Sequence, residues 1–217
     1  MNYYLGVDFG SQQDYTALTL IKRNDIIKQE YSMTRGLTQE DIRTEYQLLF
    51  IERMDLGTPY QKVVDRVSTI LRDEDLRGDI IVVPDATGVG IPIVQLMRSQ
   101  NVSPMIPISI HGGQATNKND FGGYSVPKRD LVSALAIVVQ SRRLRVASDI
   151  NYRMQLVHEM QNFVPKFTKN GGDTYEALME RDHDDLVMAL SMAIWLAEKH
   201  GKPAEPIPPS PKRDIMA

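Results

Sequence analysis

The chain has 217 residues, 42% of them hydrophobic and 24% charged, with a formal net charge of −3. That length suits one domain with a real core, and 14 glycines with 12 prolines exclude a collagen-like or wholly disordered chain. The lack of cysteine excludes a disulfide framework, a thiol nucleophile and a Cys-ligated metal site, and suits a reducing compartment; no apolar run is long enough to span a membrane, and the opening MNYYLGVDFG lacks the features of a secretory signal.

Residues 3–9, YYLGVDF, read as a strand, and residues 15–22, YTALTLIK, alternate as a second. Arg23-Asn24 is read as a tight turn into a third strand, 25–33, completing an antiparallel meander. Part of 46–56, YQLLFIERMDL, is expected to be a strand, because Gly57-Thr58-Pro59 then punctuates the chain. Thr58 before Pro59 is a good helix start. Val63, Val67, Ile70 and Leu71 continue at helical spacing to about residue 72. Residues 80–84, IIVVP, predict a buried strand of the parallel type. A Gly-rich turn, a helix near 91–99 and a strand at about 105–110 make a β-α-β unit.

Residues 111–127 carry four glycines and no periodicity, which predicts a long functional or mobile loop. Helices are expected over about 128–142, 152–163 and 183–199. The first shows Leu131, Leu135, Val138 and Val139 on one face; the last shows Leu186, Leu190, Ala193, Ile194 and Ala197. FVPKFTKNGGDTYEA reads as a hairpin turning at Gly171-Gly172, and Gly201 as the end of the last helix. The expected organisation is one domain over 1–200 and a Pro-rich, disordered tail over 201–217.

Charge is unevenly spread. From Lys118 to Lys169 basic side chains (Lys118, Lys128, Arg129, Arg142, Arg143, Arg145, Arg153, Lys166, Lys169) outnumber acidic ones (Asp120, Asp130, Asp149, Glu159). One face is therefore expected to be positive on an acidic molecule, although charge runs are commonly just solvated helix faces. Three acidic positions stand out. Asp8 falls inside an apolar strand, where a charge is costly unless paired or metal-bound. Asp85 ends the buried strand IIVVP, where open α/β sheets bind ligands. Asp184 and Asp185 open the last helix, beside Asp182 and His183. Each has a plainer reading: Asp8 in a salt bridge, Asp85 starting an Asx turn in DATG, Asp184 or Asp185 as a helix cap, His183 on the surface. The Gly88-Val89-Gly90 turn is a weak phosphate-cradle signal. Clustered carboxylates without soft ligands suit Mg²⁺ or Mn²⁺ rather than zinc.

The strings LGVDFGSQQDYTALTLI, VVPDATGVG, YSVPKRDLVSAL, SRRLRVA and HDDLVMALSMAI, in this order over roughly 3–198, resemble the nuclease domain of phage terminase large subunits. That family is part of the RNase H-like nuclease and resolvase superfamily. The resemblance implies an α/β fold with a central mixed sheet of five or more strands, an antiparallel meander joined to a parallel β-α-β unit, flanked by helices. It implies a DNA endonuclease that cuts concatemeric viral DNA during packaging, with Asp8, Asp85, Asp184 and Asp185 as catalytic metal ligands for two Mg²⁺ or Mn²⁺ ions. Several relatives carry a further acid one turn on, where this chain has Met188; the metal role then falls on Asp184 or Asp185. Full terminases carry an ATPase motor, and G-x-x-x-x-G-K-[ST] does not occur here. The chain is therefore expected to be an isolated nuclease domain or a stand-alone nuclease.

In such chemistry two cations about 3.5–4 Å apart bracket the scissile phosphate, one activating water and one stabilising the leaving oxygen. Lys128, Arg129, Arg142, Arg143 and Arg145 are the expected contacts to the backbone of double-stranded DNA, and the 111–127 loop is expected to fold over the duplex. A packaging ATPase motor, portal or small terminase subunit would be partners in the host bacterial cytoplasm, with no membrane involved. The rival readings are a Holliday-junction resolvase, an actin-like ATPase fold and a non-catalytic packaging module. Junction cleavage, ATP binding and metal-dependent plasmid nicking discriminate among them.

Overall fold

The computed structural model describes residues 1–10, 14–31, 38–76, 78–162 and 184–200. The expected hairpin at Gly171-Gly172, Lys166, Lys169, Asp182, His183, Gly201 and the Pro-rich tail lie outside the described residues.

The apolar run Tyr3–Asp8 forms β1, antiparallel to β2 (Thr16–Tyr31) and parallel to β4 (Ile80–Pro84). β3 (Thr38–Met54) pairs with β2 and carries β8 (Leu144–Val146) parallel at its outer edge. The five-stranded sheet runs β4-β1-β2-β3-β8. Helices α1 (Tyr60–Leu71) and α2 (Gly90–Ser99) cover one face, around Leu5, Val7, Leu18 and Val82. Helices α3 (Lys128–Gln140), α4 (Arg153–Asn162) and α5 (Asp185–His200) build the other core, around Tyr4, Ala17, Ile51 and Val83. This is the expected α/β arrangement of a mixed five-stranded sheet flanked by helices.

Several local expectations are corrected. Arg23-Asn24 is not a turn, because β2 runs through it unbroken and pairs Arg23 with Tyr46 and Asn24 with Glu45. Arg-Asn lacks the glycine that a two-residue hairpin turn favours. Buried Arg23 is instead tied to the Ala197 carbonyl and to Asp25. The 105–110 segment joins the main sheet only through single bridges, Val82 to Met105 and Asp85 to Ile108. Its strand β5 (Ile108–His111) belongs to a second sheet with β7 (Tyr124–Pro127) and β6 (Asn117–Lys118), ordered β5-β7-β6.

The 111–127 segment is therefore not a structureless loop. Asn119 organises its turn, its carboxamide oxygen accepting the N–H of Phe121 and Gly123. Gly123 is required there, since a Cβ would overlap the Pro107 carbonyl. On α3, Leu131, Val132, Leu135 and Val138 are buried, but Val139 faces outward, 100° round the helix from Val138. Thr58 does not cap α1; its hydroxyl donates to the Asp55 carbonyl, and Pro59 takes the cap position.

α5 is buried on every side from Asp185 to Ala197, as its apolar surface all round requires. Leu186, Leu190, Ala193, Ile194 and Ala197 lie in the core as expected. Its close seat on β1 depends on Gly6, where a Cβ would overlap the Ala189 carbonyl oxygen.

Candidate active site

Side chains alternate across a strand, so Asp8 shares the α5-facing side of the sheet with Tyr4, and Asp85 follows Ile81 and Val83 on that side. β1 and β4 are hydrogen-bonded parallel neighbours, with Val7 opposite Pro84 and the Asp85 N–H donating to the Val7 carbonyl at 2.9 Å. Adjacent strands lie about 4.8 Å apart, so both carboxylates leave the same sheet edge side by side. Gly90 keeps α2 close to that turn, because a Cβ would overlap the Asp85 carbonyl. Gly90 thus has a packing reason, and Gly88 a conformational one, at φ 51°.

α5 delivers the other pair. The Asp184 carbonyl accepts the first helical bond, from Met188 N–H at 2.9 Å, and Asp185 begins the helix. Lys128, at the start of α3, ion-pairs with Asp184 at 3.1 Å. Its place follows from register: β5 is bridged to Asp85, β7 pairs with β5, and Lys128 comes straight after β7. Asp185 is buried and pairs with Arg53 at 3.5 Å.

Burial pushes the Asp8 carboxyl well above the ordinary carboxylate range. The charges of Asp85, Asp185 and Asp184 push it further, against the pull of Lys128. Burial likewise raises Asp85 to about 6, although the Thr87 backbone N–H, at 2.7 Å in the expected Asx turn, and Lys128 oppose it. The plain and functional readings of Asp85 thus coexist. Four aspartates and one shared lysine form a single electrostatic unit. Among the described residues, no three His, Asp or Glu side chains are drawn together as a ready metal cage. The donor chemistry, carboxylate oxygens with no thiolate in the chain, fits a hard divalent cation.

Two site residues escape a reading by motif. Arg53 shares a face of β3 with buried Ile51, its guanidinium 4.7 Å from the Tyr15 ring centroid. Glu159 on α4 is buried, ion-pairs with Arg53, and accepts the N–H groups of Leu186 and Val187 at 3.0 and 3.1 Å. Burial raises Glu159 to about 7, with Arg53 opposing. Both leave a signal in the sequence: Arg53 stands two residues from Ile51, and Glu159 three from Leu156, so each charge falls on an inward face.

The expected DNA contacts divide. Lys128 is in the site, and Arg129 beside it donates to the Gln114 carbonyl. Arg143 pairs with Glu198 at 2.6 Å and Arg145 with Glu45 at 3.0 Å. Arg142 lies in the left-handed region at φ 55°, its carbonyl accepting from Arg43. β8 meets β3 at Tyr46–Leu48, some 20 Å along the strand from Arg53 at about 3.3 Å per residue.

Raised carboxyl pKa values set a sign for stability. Such groups favour the folded state fully below their unfolded value near 4, and that advantage is lost as pH rises through the folded values, about 6 for Asp85 and about 7 for Glu159. In EDTA the melting temperature is therefore expected to fall by roughly 5 °C or more between pH 5 and pH 8, from a few kcal/mol at about 2–4 °C each. A melting temperature that rises over this interval would contradict the electrostatic assignment.

A mixed sheet in which β1 ends at Asp8 and its parallel neighbour β4 runs straight into Asp85, packed by a buried helix headed by Asp184 and Asp185, defines the class: an α/β domain with a candidate carboxylate site. The chain is 25% identical over 191 residues, 88% of its length, to the terminase large subunit of Thermus virus P23-45. It has the same identity and coverage with that of Thermus phage G20c. The resemblance to phage terminase large subunits thus extends over most of the chain, which spans 31% of the length of these curated relatives. No family model matches. A crystal structure of the g2p (large terminase) nuclease domain from the bacteriophage SPP1 with bound Mn aligns at TM-score 0.49 and 11% identity, over 92% of this chain and 86% of that one. Among the described residues no helix is long and apolar enough to cross a membrane.

Proposed function

We propose that the chain is a metal-dependent endonuclease of the terminase type, hydrolysing phosphodiester bonds in double-stranded DNA. One observation carries the reading: Asp8 and Asp85 stand at the ends of adjacent parallel strands while Asp184-Asp185 head the helix packed on that sheet, so the other three carboxylates all lie within electrostatic reach of Asp8. Asp8 and Asp85, with Asp184, Asp185 or both, are the residues to hold Mg²⁺ or Mn²⁺. Such ions, when bound, lower the pKa of the attacking water and stabilise the leaving 3′-oxygen.

The chain's own residues do the rest. Lys128, within reach of the carboxylates, balances their charge and contacts a non-bridging phosphate oxygen. Arg129 takes the next phosphate. Contacts by Arg142, Arg143 and Arg145 require a duplex running along the β8 edge. The 25% identity to terminase large subunits supports viral DNA as substrate and a packaging motor, portal and small subunit as partners in the host cytoplasm. The test is plasmid nicking in Mn²⁺, Mg²⁺, Zn²⁺ or EDTA. Cleavage of plain duplex in Mn²⁺ or Mg²⁺, abolished by EDTA, is expected. Full activity in EDTA, or activity with Zn²⁺ alone, would overturn the reading, and cleavage confined to branched DNA would favour a resolvase.

A further inference from the structure

An aspartate just before a helix ordinarily turns its carboxylate onto the N–H groups of the helix's second or third residue. Asp184 holds that cap position on α5, its carbonyl accepting the Met188 N–H. Its carboxylate goes to Lys128 instead, at 3.1 Å. The N–H groups an N-cap would satisfy, those of Leu186 and Val187, are both taken by one oxygen of Glu159, from another helix. The other Glu159 oxygen pairs with Arg53, whose guanidinium also reaches Asp185 at 3.5 Å. Glu159 is buried among these partners, so it has no solvent-facing alternative.

We infer that Glu159 is a positioning residue that caps α5 in place of Asp184 and thereby frees the Asp184 carboxylate for the active site. The same side chain steadies Asp185 through Arg53. Capping a helix and serving a catalytic site are rival uses of one short side chain, and Asp184 cannot do both. A cap borrowed from α4 removes the conflict and leaves the Asp184 carboxylate turned towards Lys128 and the site. The catalytic consequence rests on the nuclease reading; the exchange of caps does not.

The exchange predicts a specific non-additivity. In E159A the Asp184 carboxylate falls back onto the Leu186 and Val187 N–H groups, so the helix stays capped. In D184A Glu159 still caps it. Only E159A/D184A loses both caps, and its melting temperature is expected to fall by more than the sum of the two single changes. Additive changes would overturn the inference. A second arm needs no alteration of Glu159: amide exchange at Leu186 and Val187 is expected to be unchanged in D184A, which removes the only oxygen Asp184 could cap with, and faster exchange there would show that Asp184 is the cap after all.

In Mn²⁺-dependent plasmid nicking, E159A is expected to fall at least tenfold with its Mn²⁺ requirement raised, while E159Q, whose one acceptor oxygen can keep the cap but whose amide N–H group cannot pair with Arg53, is expected to fall between E159A and the parent. Equal activity of E159A and the parent would overturn the positioning role. If the parent protein itself fails to cut, the nuclease reading falls, while the stability cycle and amide exchange still decide the cap.

Discussion

Asp8→Asn is expected to do two opposite things: to lower Mn²⁺-dependent cleavage by more than about a hundredfold, and to raise the melting temperature in EDTA. The first follows from its place beside Asp85 at the sheet edge. Losing a partner that merely orients a metal ligand costs about 10–100-fold, and losing a ligand itself should cost more. The second follows from electrostatics. Asp8 is held above the ordinary carboxylate range by burial and by Asp85, Asp185 and Asp184, so at neutral pH its charge opposes folding. A neutral amide of the same shape removes that opposition. Asp8→Asn cutting at the parental rate would refute the catalytic assignment, and a lowered melting temperature in EDTA would refute the electrostatic one.

Gly6→Ala is expected to damage both stability and activity although it touches no charged group. The new Cβ would overlap the Ala189 carbonyl oxygen and crowd the Thr19 hydroxyl at 3.1 Å. The first obstacle is backbone, in a helix buried on all sides, so it cannot rotate away as a side chain could. Overpacking of this kind costs about 1–3 kcal/mol, occasionally more; the upper end is expected here. Any relief comes from sliding α5 off β1, which carries Asp184 and Asp185 away from Asp8. A misplacement of about 1 Å can cost 10²-fold in rate. Thermal melting and plasmid nicking check the two halves, and a melting temperature within 1–2 °C of the parent would show that α5 seats differently.

The strands YYLGVDF and IIVVP and the helices were legible in the chain because they depend on local pattern, whereas the meeting of Asp8 with Asp85 waited on the pairing of β1 with β4. Alternation at period two puts Asp8 on one face with Tyr4, and a polar residue ending an apolar parallel strand lands at the ligand-binding edge. The order of the quoted strings carried the resemblance to terminases for the same reason. Where local signals were weak the reading failed. Arg23-Asn24 passed for a turn because only its cross-strand partners, Tyr46 and Glu45, hold it extended. The 111–127 segment passed for a loop because its strands are two and four residues long and are held by pairing with β5.

What only tertiary structure decided is which charge meets which. Arg143 stood in a basic run, yet its partner is Glu198, 55 residues away. Glu159 meets the N–H groups of α5 only because α4 packs it beneath that helix, 27 residues on. Whether an aspartate at a helix start caps the helix or faces a site is settled by what else can satisfy the same N–H groups. That competitor arrives from a distant part of the chain, and periodicity holds no record of contacts between elements.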